Sequence, residues 1–327
     1  MLKVGIVGCG GIAKVHAWGI DKIAEAKLKA CADIRIQRAV ELAGEYGITK
    51  EHCYASLEEM LQQEELDVLH ICTPHYLHVP MVLEGLKKGI AVFCEKPPAI
   101  SKKQWMELEK VCKETKGKLG FCFQNRYTNT MKMAQSIVNS GSLGRITGAR
   151  AFVTWRRDED YYLTDWKGKL DTEGGGVLIN QSIHTLDLLL RFFEEPTKVR
   201  SSIHNHHLEG VIEVEDTVEA WMEFKHGERA CFYASNGYTK DAPVLLEYSF
   251  EKGNVMLQDQ MVLVTDEEGI HMHRCEETEG IGKSCWGTGH LHCIRDFYRS
   301  VESGEPFECD MEGVKNTMQV MMRIYGR

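Results

Sequence analysis

The sequence predicts an α/β protein in two parts: an N-terminal doubly wound parallel sheet, then an α/β domain whose sheet is largely antiparallel. Three features carry this. Short apolar runs alternate with helix-period segments as far as about residue 122. The first run ends in a glycine-rich turn. Beyond it, strand-like segments follow one another, several joined by tight-turn signals. The change of texture divides the chain into 1–121 and 122–327, with no low-complexity linker and no internal repeat.

In order, "LKVGIVG" reads as a short buried strand, and Ala13, Ala17, Ile20 and Ala24 then recur at helical spacing. "AKLKACAD" is a second strand, and Ile36, Ala39, Val40 and Ala43 mark the next helix. Ser56 with Glu59 makes a capping box before "LEEML". "LDVLHICTP" is a clear strand, "HVPMVLEGLKKG" a helix ending at Gly89, and "IAVFCEKP" another strand. Ser101 with Gln104 caps the helix after it, and "KLGFCFQNRY" reads as a strand. Strands alternating with helices imply right-handed crossovers and a parallel sheet. In the second part "RITGARAFVTW", "KVRSSIHN", "DTVEAWMEF", "ERACFYASN", "VLLEYSF" and "NVMLQD" are strand-like, with turns at "KHGE" and "EKGN". One strong helix, "VLINQSIHTLDLLLRFF", comes early, and "HLHCIRDFYRSVESG" and "MEGVKNTMQVMMRIYG" close the chain as two more.

The 327 residues can bury a full core, and a net charge of −9 argues against a nucleic-acid binder. Apolar runs are far shorter than the roughly 20 residues of a membrane span. The apolar N-terminus breaks at once into glycines and has no signal pattern, so a cytoplasmic location is expected. The 12 cysteines form no C-x-x-C and sit in apolar stretches, as reduced core thiols do. His271/His273 and His290/His292 are too isolated to suggest a metal site, and none is expected.

Gly8-Cys9-Gly10-Gly11-Ile12-Ala13 fits G-x-G-x-x-A between a strand and a helix. Gly8 permits the tight turn, Gly10 lets the backbone approach a pyrophosphate, and Ala13 lets helix and strand pack closely. The helix N-terminus, from Gly11 and Ile12, offers free N–H groups to phosphate. Asp33, at the end of the second strand, stands where an acid binds the adenosine ribose hydroxyls. It disfavours a 2′-phosphate, so NAD is expected ahead of NADP, although Arg35 and Arg38 lie close by. Ligands of such sheets bind outside the carboxyl ends of the strands. Thr73 and Pro74 end one strand, and Glu95 and Lys96 end another, with Pro97 and Pro98 fixing the exit direction. A desolvated lysine beside a hydride acceptor can donate to a hydroxyl or carbonyl oxygen and share its proton.

Taken together, "VGIVGCGGIAKVH", "CTPHYLH", "CEKPPAIS", "NRY", "GGGVLINQSIHTLDLL" and "GHLHCIRDFYRSVESGEP" resemble the Gfo/Idh/MocA family of NAD(P)-dependent oxidoreductases over essentially the whole chain. The resemblance implies a Rossmann domain followed by an α/β domain with an open sheet, which in the family often forms the dimer surface. A homodimer or homotetramer is therefore expected. It implies oxidation of a secondary alcohol, or reduction of a ketone, on a sugar, cyclitol or sugar derivative. Alternatives within the same fold are NAD-dependent cleavage of glycosidic bonds and non-catalytic sensing of a sugar. By the same resemblance His78, Glu95 and Asn125 join the glycines, Asp33, Thr73, Pro74 and Lys96 around the cofactor.

Asn180 and His184 are four apart and should share a helix face, with Asp187 a turn further on. His184 matches the family's active-site histidine, able to bind the reacting hydroxyl and relay its proton. Many relatives carry aspartate where Asn180 stands, and an amide cannot take a proton, so Lys96 and His184 are expected to carry the chemistry, with Asn180 orienting a hydroxyl. The three glycines before this helix suggest close approach of the backbone to something. On the substrate side, Arg126 and Tyr127 end a strand, and Trp155, Tyr161, Tyr162 and Trp166 offer faces for a sugar ring. Arg156, Arg157 and Lys167 offer cations for a carboxylate or phosphate.

Overall fold

The computed structural model describes residues 1–115, 117–276, 281 and 289–326. Two compact units emerge, one from Met1–Gln124 with Glu279–Gly313, the other from Asn125–Thr278 with Val314–Arg327. Where the sequence suggested one cut at 121/122, a late segment thus packs with the first unit.

The first unit runs β1 (Leu2–Val7), α1 (Gly11–Asp21), β2 (Ala26–Ala32), α2 (Ile36–Glu45), β3 (Cys53–Tyr54), α3 (Leu57–Gln63), β4 (Val68–Ile71), α4 (His78–Lys87), β5 (Ala91–Cys94), α5 (Lys102–Thr115) and β6 (Leu119–Phe121). The sheet is parallel throughout in the order β3-β2-β1-β4-β5-β6. Every residue of β4 and β5 is buried, as strands covered on both faces require. The order reverses between β1 and β4, which opens the crevice where such folds bind ligands. Both expected caps form: Glu59 N donates to Ser56 Oγ at 3.1 Å, and Gln104 N donates to Ser101 Oγ at 3.2 Å.

The second unit begins with α6 (Asn129–Ser140) and β7 (Ile146–Thr154), followed by α7 (Leu170–Glu173) and α8 (Ile183–Leu189). Seven strands follow: β8 (Lys198–His204), β9 (Thr217–Glu223), β10 (Arg229–Ser235), β11 (Leu245–Phe250), β12 (Gly253–Gln258), β13 (Met261–Asp266) and β14 (Gly269–Arg274). They form a sheet in the order β14-β13-β12-β11-β7-β10-β9-β8, antiparallel except for β7 beside β10. The last helices divide between the units. α9 (Gly289–Ser303) packs on α1 and β5, and α10 (Lys315–Ile324) on α8 and β8. Gly19 of α1 admits α9, since a Cβ there would lie 2.8 Å from Ile294 Cδ1. The ring of Phe297 in α9 packs tilted against that of Phe93 in β5, with centroids 5.1 Å apart.

Several elements differ from the sequence expectation. The strand in "KLGFCFQNRY" stops at Phe121, and Gln124–Tyr127 form a 3₁₀ turn. The long helix over "VLINQSIHTLDLLLRFF" is two pieces, a π-helical turn at Val177–Gln181 and then α8. The break falls at Ser182, whose N–H and hydroxyl both reach back to Val177 O, at 2.9 and 2.8 Å. Asn180 and His184 therefore do not share one continuous helix face.

Candidate active site

In the first unit, the ends of β1, β2, β4 and β5 gather the expected cofactor residues. Gly8 has φ of 85°, and a Cβ there would lie 2.7 Å from the backbone of Cys72, so only glycine fits where this turn crosses the end of β4. Gly10 and Gly11 differ: a Cβ at either would meet no protein atom within 4 Å. Packing within the chain does not require these glycines, and the space they leave open at the N-terminus of α1 fits a pyrophosphate. Ile12 lies half-buried in the first turn of α1. Asp33 is buried, with Oδ2 accepting from Cys9 N and Oδ1 from Arg35 N, both at 2.8 Å. Its carboxylate is thereby fixed beside the glycine turn, while Arg35 and Arg38 are exposed. The residues fit a dinucleotide.

Thr73 and Pro74, half-buried, lead from β4 into a 3₁₀ turn over His75–Leu77. His78 departs from its expected role. Its ring is fully buried, with Nδ1 2.8 Å from Pro97 O and Nε2 2.9 Å from Thr73 O. It straps together the ends of β4 and β5 and presents no side-chain atom to a ligand. Burial lowers its pKa, against the pull of the two carbonyls.

Glu95 and Lys96 follow β5, Glu95 buried and Lys96 half-buried, and the Lys96–Pro97 peptide is cis. Glu95 Oε1 is 2.8 Å from His16 Nε2. His16 Nδ1 is 2.8 Å from His70 Nδ1, and His70 Nε2 is 2.8 Å from Tyr298 Oη. Burial alone would raise Glu95, but the hydrogen bond and charge of His16, with His290 and Lys96, hold it well below the carboxylate range. His16 is held well above its ordinary value, burial being outweighed by Cys72, Cys122 and Glu95. His70 is pushed well below by burial and by the His16 charge. Glu95, His16, His70 and Tyr298 thus form one buried hydrogen-bonded chain. Cys122 Sγ joins His16 and Glu95 in a buried trio whose donor atoms lie within 4.8 Å of one another. Sequence reasoning missed this network because His16, His70, Glu95 and Tyr298 come from four separate elements. The available signal was a histidine on the buried face of α1.

In the second unit, Asn125 is half-buried in the 3₁₀ turn after β6, its carbonyl accepting from Thr128 Oγ1 at 3.0 Å. Arg126 is not placed as expected. It is buried in a bidentate pair with Asp187, Nε to Oδ2 at 2.7 Å and Nη2 to Oδ1 at 2.5 Å, and Thr317 Oγ1 donates to the same carboxylate at 2.7 Å. A buried guanidinium needs a counter-charge, and Asp187 supplies it. Arg126 and Asp187 thus hold the turn to α8 rather than face a substrate. Tyr127 is also buried.

Of the three glycines before the π turn, Gly174 closes α7 at φ of 86°, and Gly175 and Gly176 approach the chain itself. A Cβ at Gly176 would lie 1.9 Å from Glu215 O, and one at Gly175 2.1 Å from Tyr325 Oη. Glu215 takes the turn's N–H groups, Gly176 N at 2.9 Å and Leu178 N at 3.1 Å, and also accepts from Tyr325 Oη at 2.8 Å. Burial raises its pKa despite these donors. His184 and Asn180 are half-buried. Asn180 Nδ2 donates to Glu173 Oε1, and Gln181 Nε2 donates to Tyr161 Oη at 3.1 Å. Around Tyr161 stand Lys167, with Nζ 3.5 Å from the ring centre, and Arg157, at 5.4 Å. Arg157 also lies 5.0 Å from the ring of half-buried Trp155, whose Nε1 donates to Ala242 O at 3.2 Å. Trp166 is half-buried beside Lys167.

A glycine cradle at a helix N-terminus, an acid at the end of β2 and a Glu–Lys pair at the end of β5 define a dinucleotide-dependent oxidoreductase. Family profiles agree along the chain. "Oxidoreductase family, NAD-binding Rossmann fold" matches residues 2–123, and "GFO/IDH/MocA C-terminal domain" matches 131–256. The chain belongs to the Gfo/Idh/MocA family. It is 26% identical to inositol 2-dehydrogenase of Rhizobium meliloti (strain 1021), over 79% of this chain and 76% of that protein. It is 29% identical to D-glucoside 3-dehydrogenase of Escherichia coli (strain K12), over 69% and 68%. Among solved structures it is similar to the WlbA dehydrogenase from Bordetella pertussis in complex with NADH and UDP-GlcNAcA, with a TM-score of 0.85 at 25% identity, covering 99% of this chain and 95% of that one.

Proposed function

We propose that the protein is an NAD-dependent dehydrogenase or reductase that interconverts a secondary alcohol and a ketone on a sugar, cyclitol or sugar derivative. The observation that carries this reading is the set of strand ends: Gly10 and Gly11 with open Cβ positions, the anchored Asp33, and Lys96 immediately after the buried Glu95. NAD, when bound, supplies the hydride acceptor. Lys96 donates to the reacting oxygen and shares its proton. His184 binds the same group and relays the proton, and Asn180 orients it. Trp155 and Trp166 offer ring faces to a sugar. The relatives named above act, by their names, on inositol and glucosides, and the WlbA dehydrogenase binds a nucleotide sugar, which supports a polyhydroxylated substrate.

The test is a panel of inositols, aldoses, amino sugars, sugar acids and nucleotide sugars, followed by NADH absorbance. One class should reduce NAD, and turnover should fail in Lys96→Ala and in His184→Ala. NAD that binds without being reduced by any member would overturn dehydrogenation and favour a sensor. Release of an aglycone without net NADH would favour glycoside cleavage. We further place the protein in the cytoplasm as a homodimer or a dimer of dimers. The 11 cysteines among the described residues, all free thiols, support a reducing compartment.

A further inference from the structure

The family resemblance places an aspartate in many relatives where this chain has Asn180, which leaves the substrate side without that carboxylate. The structure supplies another beside it. Glu173 ends α7, directly before the three glycines, and is fully buried. Its Oε2 accepts from Gly168 N at 2.5 Å, and its Oε1 accepts from Asn180 Nδ2. We infer that Glu173 is the positioning residue of Asn180, and that its charge state decides which end of the Asn180 amide faces the substrate. The substrate-facing role of Asn180 rests on the function proposed above.

The hydrogen-bond partners dictate the coupling. An ionised carboxylate only accepts, so it holds the NH₂ end of Asn180 and turns the amide oxygen away. Tyr161 Oη, 3.4 Å from Asn180 Nδ2, lies on the same side of the amide. If Glu173 takes up a proton, Gly168 N–H keeps Oε2 an acceptor and the proton goes to Oε1, opposite Asn180. That O–H needs an acceptor, so the amide turns over, offers its oxygen to Glu173 and directs NH₂ outward. Asn180 then changes from an acceptor to a donor toward the substrate. An alcohol that loses its hydroxyl proton needs an acceptor, and a ketone being reduced needs a donor. Glu173 exchanges no proton with the substrate and acts only through the amide.

The surroundings place this change near neutrality. Burial pushes Glu173 up to about 7, with Gly168 N–H, Asn180 and Lys167 opposing it and Glu215 adding to it. From the turn before α7 it is faced by Tyr161, Tyr162 and Lys167, with Arg157 beyond the Tyr161 ring, and from the segment before β9 by Glu215. The tyrosines are both raised by burial and by the Glu173 charge, so neither ionises in the same range.

The test uses the free protein, with neither cofactor nor substrate. In ¹⁵N-asparagine-labelled protein the Asn180 side-chain amide, assigned by its loss in Asn180→Asp, is followed from about pH 5 to about pH 9. It should titrate with a midpoint about 7, lose that titration in Glu173→Gln, and regain it at a displaced midpoint in Glu173→Asp. An amide that does not move with pH, or that titrates unchanged in Glu173→Gln, overturns the inference. Should Glu173→Gln fail to fold, the side-chain carboxyl of ¹³C-glutamate-labelled wild type decides. It must titrate together with the Asn180 amide, and separate midpoints overturn the coupling. Failure of every polyol to reduce NAD would sink the functional reading and leave this result unaffected.

Discussion

Lys96 is the side chain on which the proposed chemistry turns, and its position follows from its neighbours. Glu95 is anchored by His16, and the chain leaves β5 through a cis Lys96–Pro97 peptide. Lys96→Ala should lower kcat about 100-fold or more, the usual loss of acid–base help, while the Kd for NAD changes little because the glycines and Asp33 hold most of the cofactor. Calorimetry beside steady-state kinetics separates the two, and unchanged kcat on a confirmed substrate would reduce the pair to a structural strand end. Asp33→Ala should narrow the preference for NAD over NADP at least tenfold, since the carboxylate that repels a 2′-phosphate is removed and Arg35 and Arg38 remain. Parallel titrations with both cofactors measure it. Glu173 also makes a stability prediction with a definite sign. Its pKa rises on folding from 4.5 to about 7, so its contribution is present below 4.5 and is lost as pH rises through about 7. Relative to Glu173→Gln, the wild type should lose up to about 3 kcal/mol over that interval, read from urea unfolding at several pH values. What was legible in the sequence at this scale was whatever a single segment carries: the glycine turn, Asp33, and the Glu–Lys pair. Arg126 was misplaced because its partner Asp187 lies 61 residues away, and the His16–Glu95 contact spans 79. No local pattern announces such pairs.

Among the elements, most strands and helices of the first unit were readable because each carries one period, with side-chain caps at α3 and α5, whereas the two-residue β3 is too short to show a period. The second unit was read less well for identifiable reasons. α6 has only a modest apolar face, and its signals are the ends: Thr128 Oγ1 accepts from Met131 N at 3.3 Å, and Gly141 closes the helix at φ of 67°. β13 and β14 form a hairpin whose outer strand is mostly exposed, so β14 shows little alternation. The histidine helix has the right composition for a continuous helix, and tertiary contacts override it. Glu215 captures the N–H groups at its start, and Ser182 bonds back five residues. Two glycine substitutions separate packing from ligand binding. Gly176→Ala would drive a methyl into Glu215 O and should cost more than about 3 kcal/mol or abolish folding. Gly10→Ala meets no protein atom and should leave the Tm within a few degrees, while NAD affinity falls at least tenfold as the methyl enters the phosphate cradle. Equal damage to stability from both would mean that the glycine turn is only a fold element.

At the scale of the whole molecule, the eight-stranded sheet of the second unit is unequally covered. Helices α6, α8 and α10 pack against it, and the residues beneath them, among them Met222, Phe232, Tyr248, Val255 and Val262, are buried. The alternate positions are half-exposed: Phe152, Trp221, Tyr233, Met256 and Leu263. The register sets Tyr233 beside Phe152, Met256 opposite Leu263 and Trp221 opposite Cys231, while Arg150 on β7 and Glu247 on β11 lie between Cys231 and Met256. Arg200 and Arg229 stand over the Trp221 ring at 5.8 and 5.9 Å, and Arg150 pairs with Glu247 at 2.7 Å. Apolar groups interspersed with cations and acids on a half-exposed sheet face have the mixed composition of a protein–protein interface. Because both signs of charge lie on this one face, it can complement a copy of itself across a two-fold axis. The expected state is therefore a homodimer, or a dimer of dimers, joined through this face. Multi-angle light scattering at micromolar concentration should give twice the chain mass or four times it. Trp221→Glu combined with Met256→Glu should halve that mass while NAD affinity is kept, since the first unit carries the glycine turn and Asp33. A wild type that runs as a monomer would remove the sheet face as an interface. A double variant that keeps its full mass would move the contact to another surface.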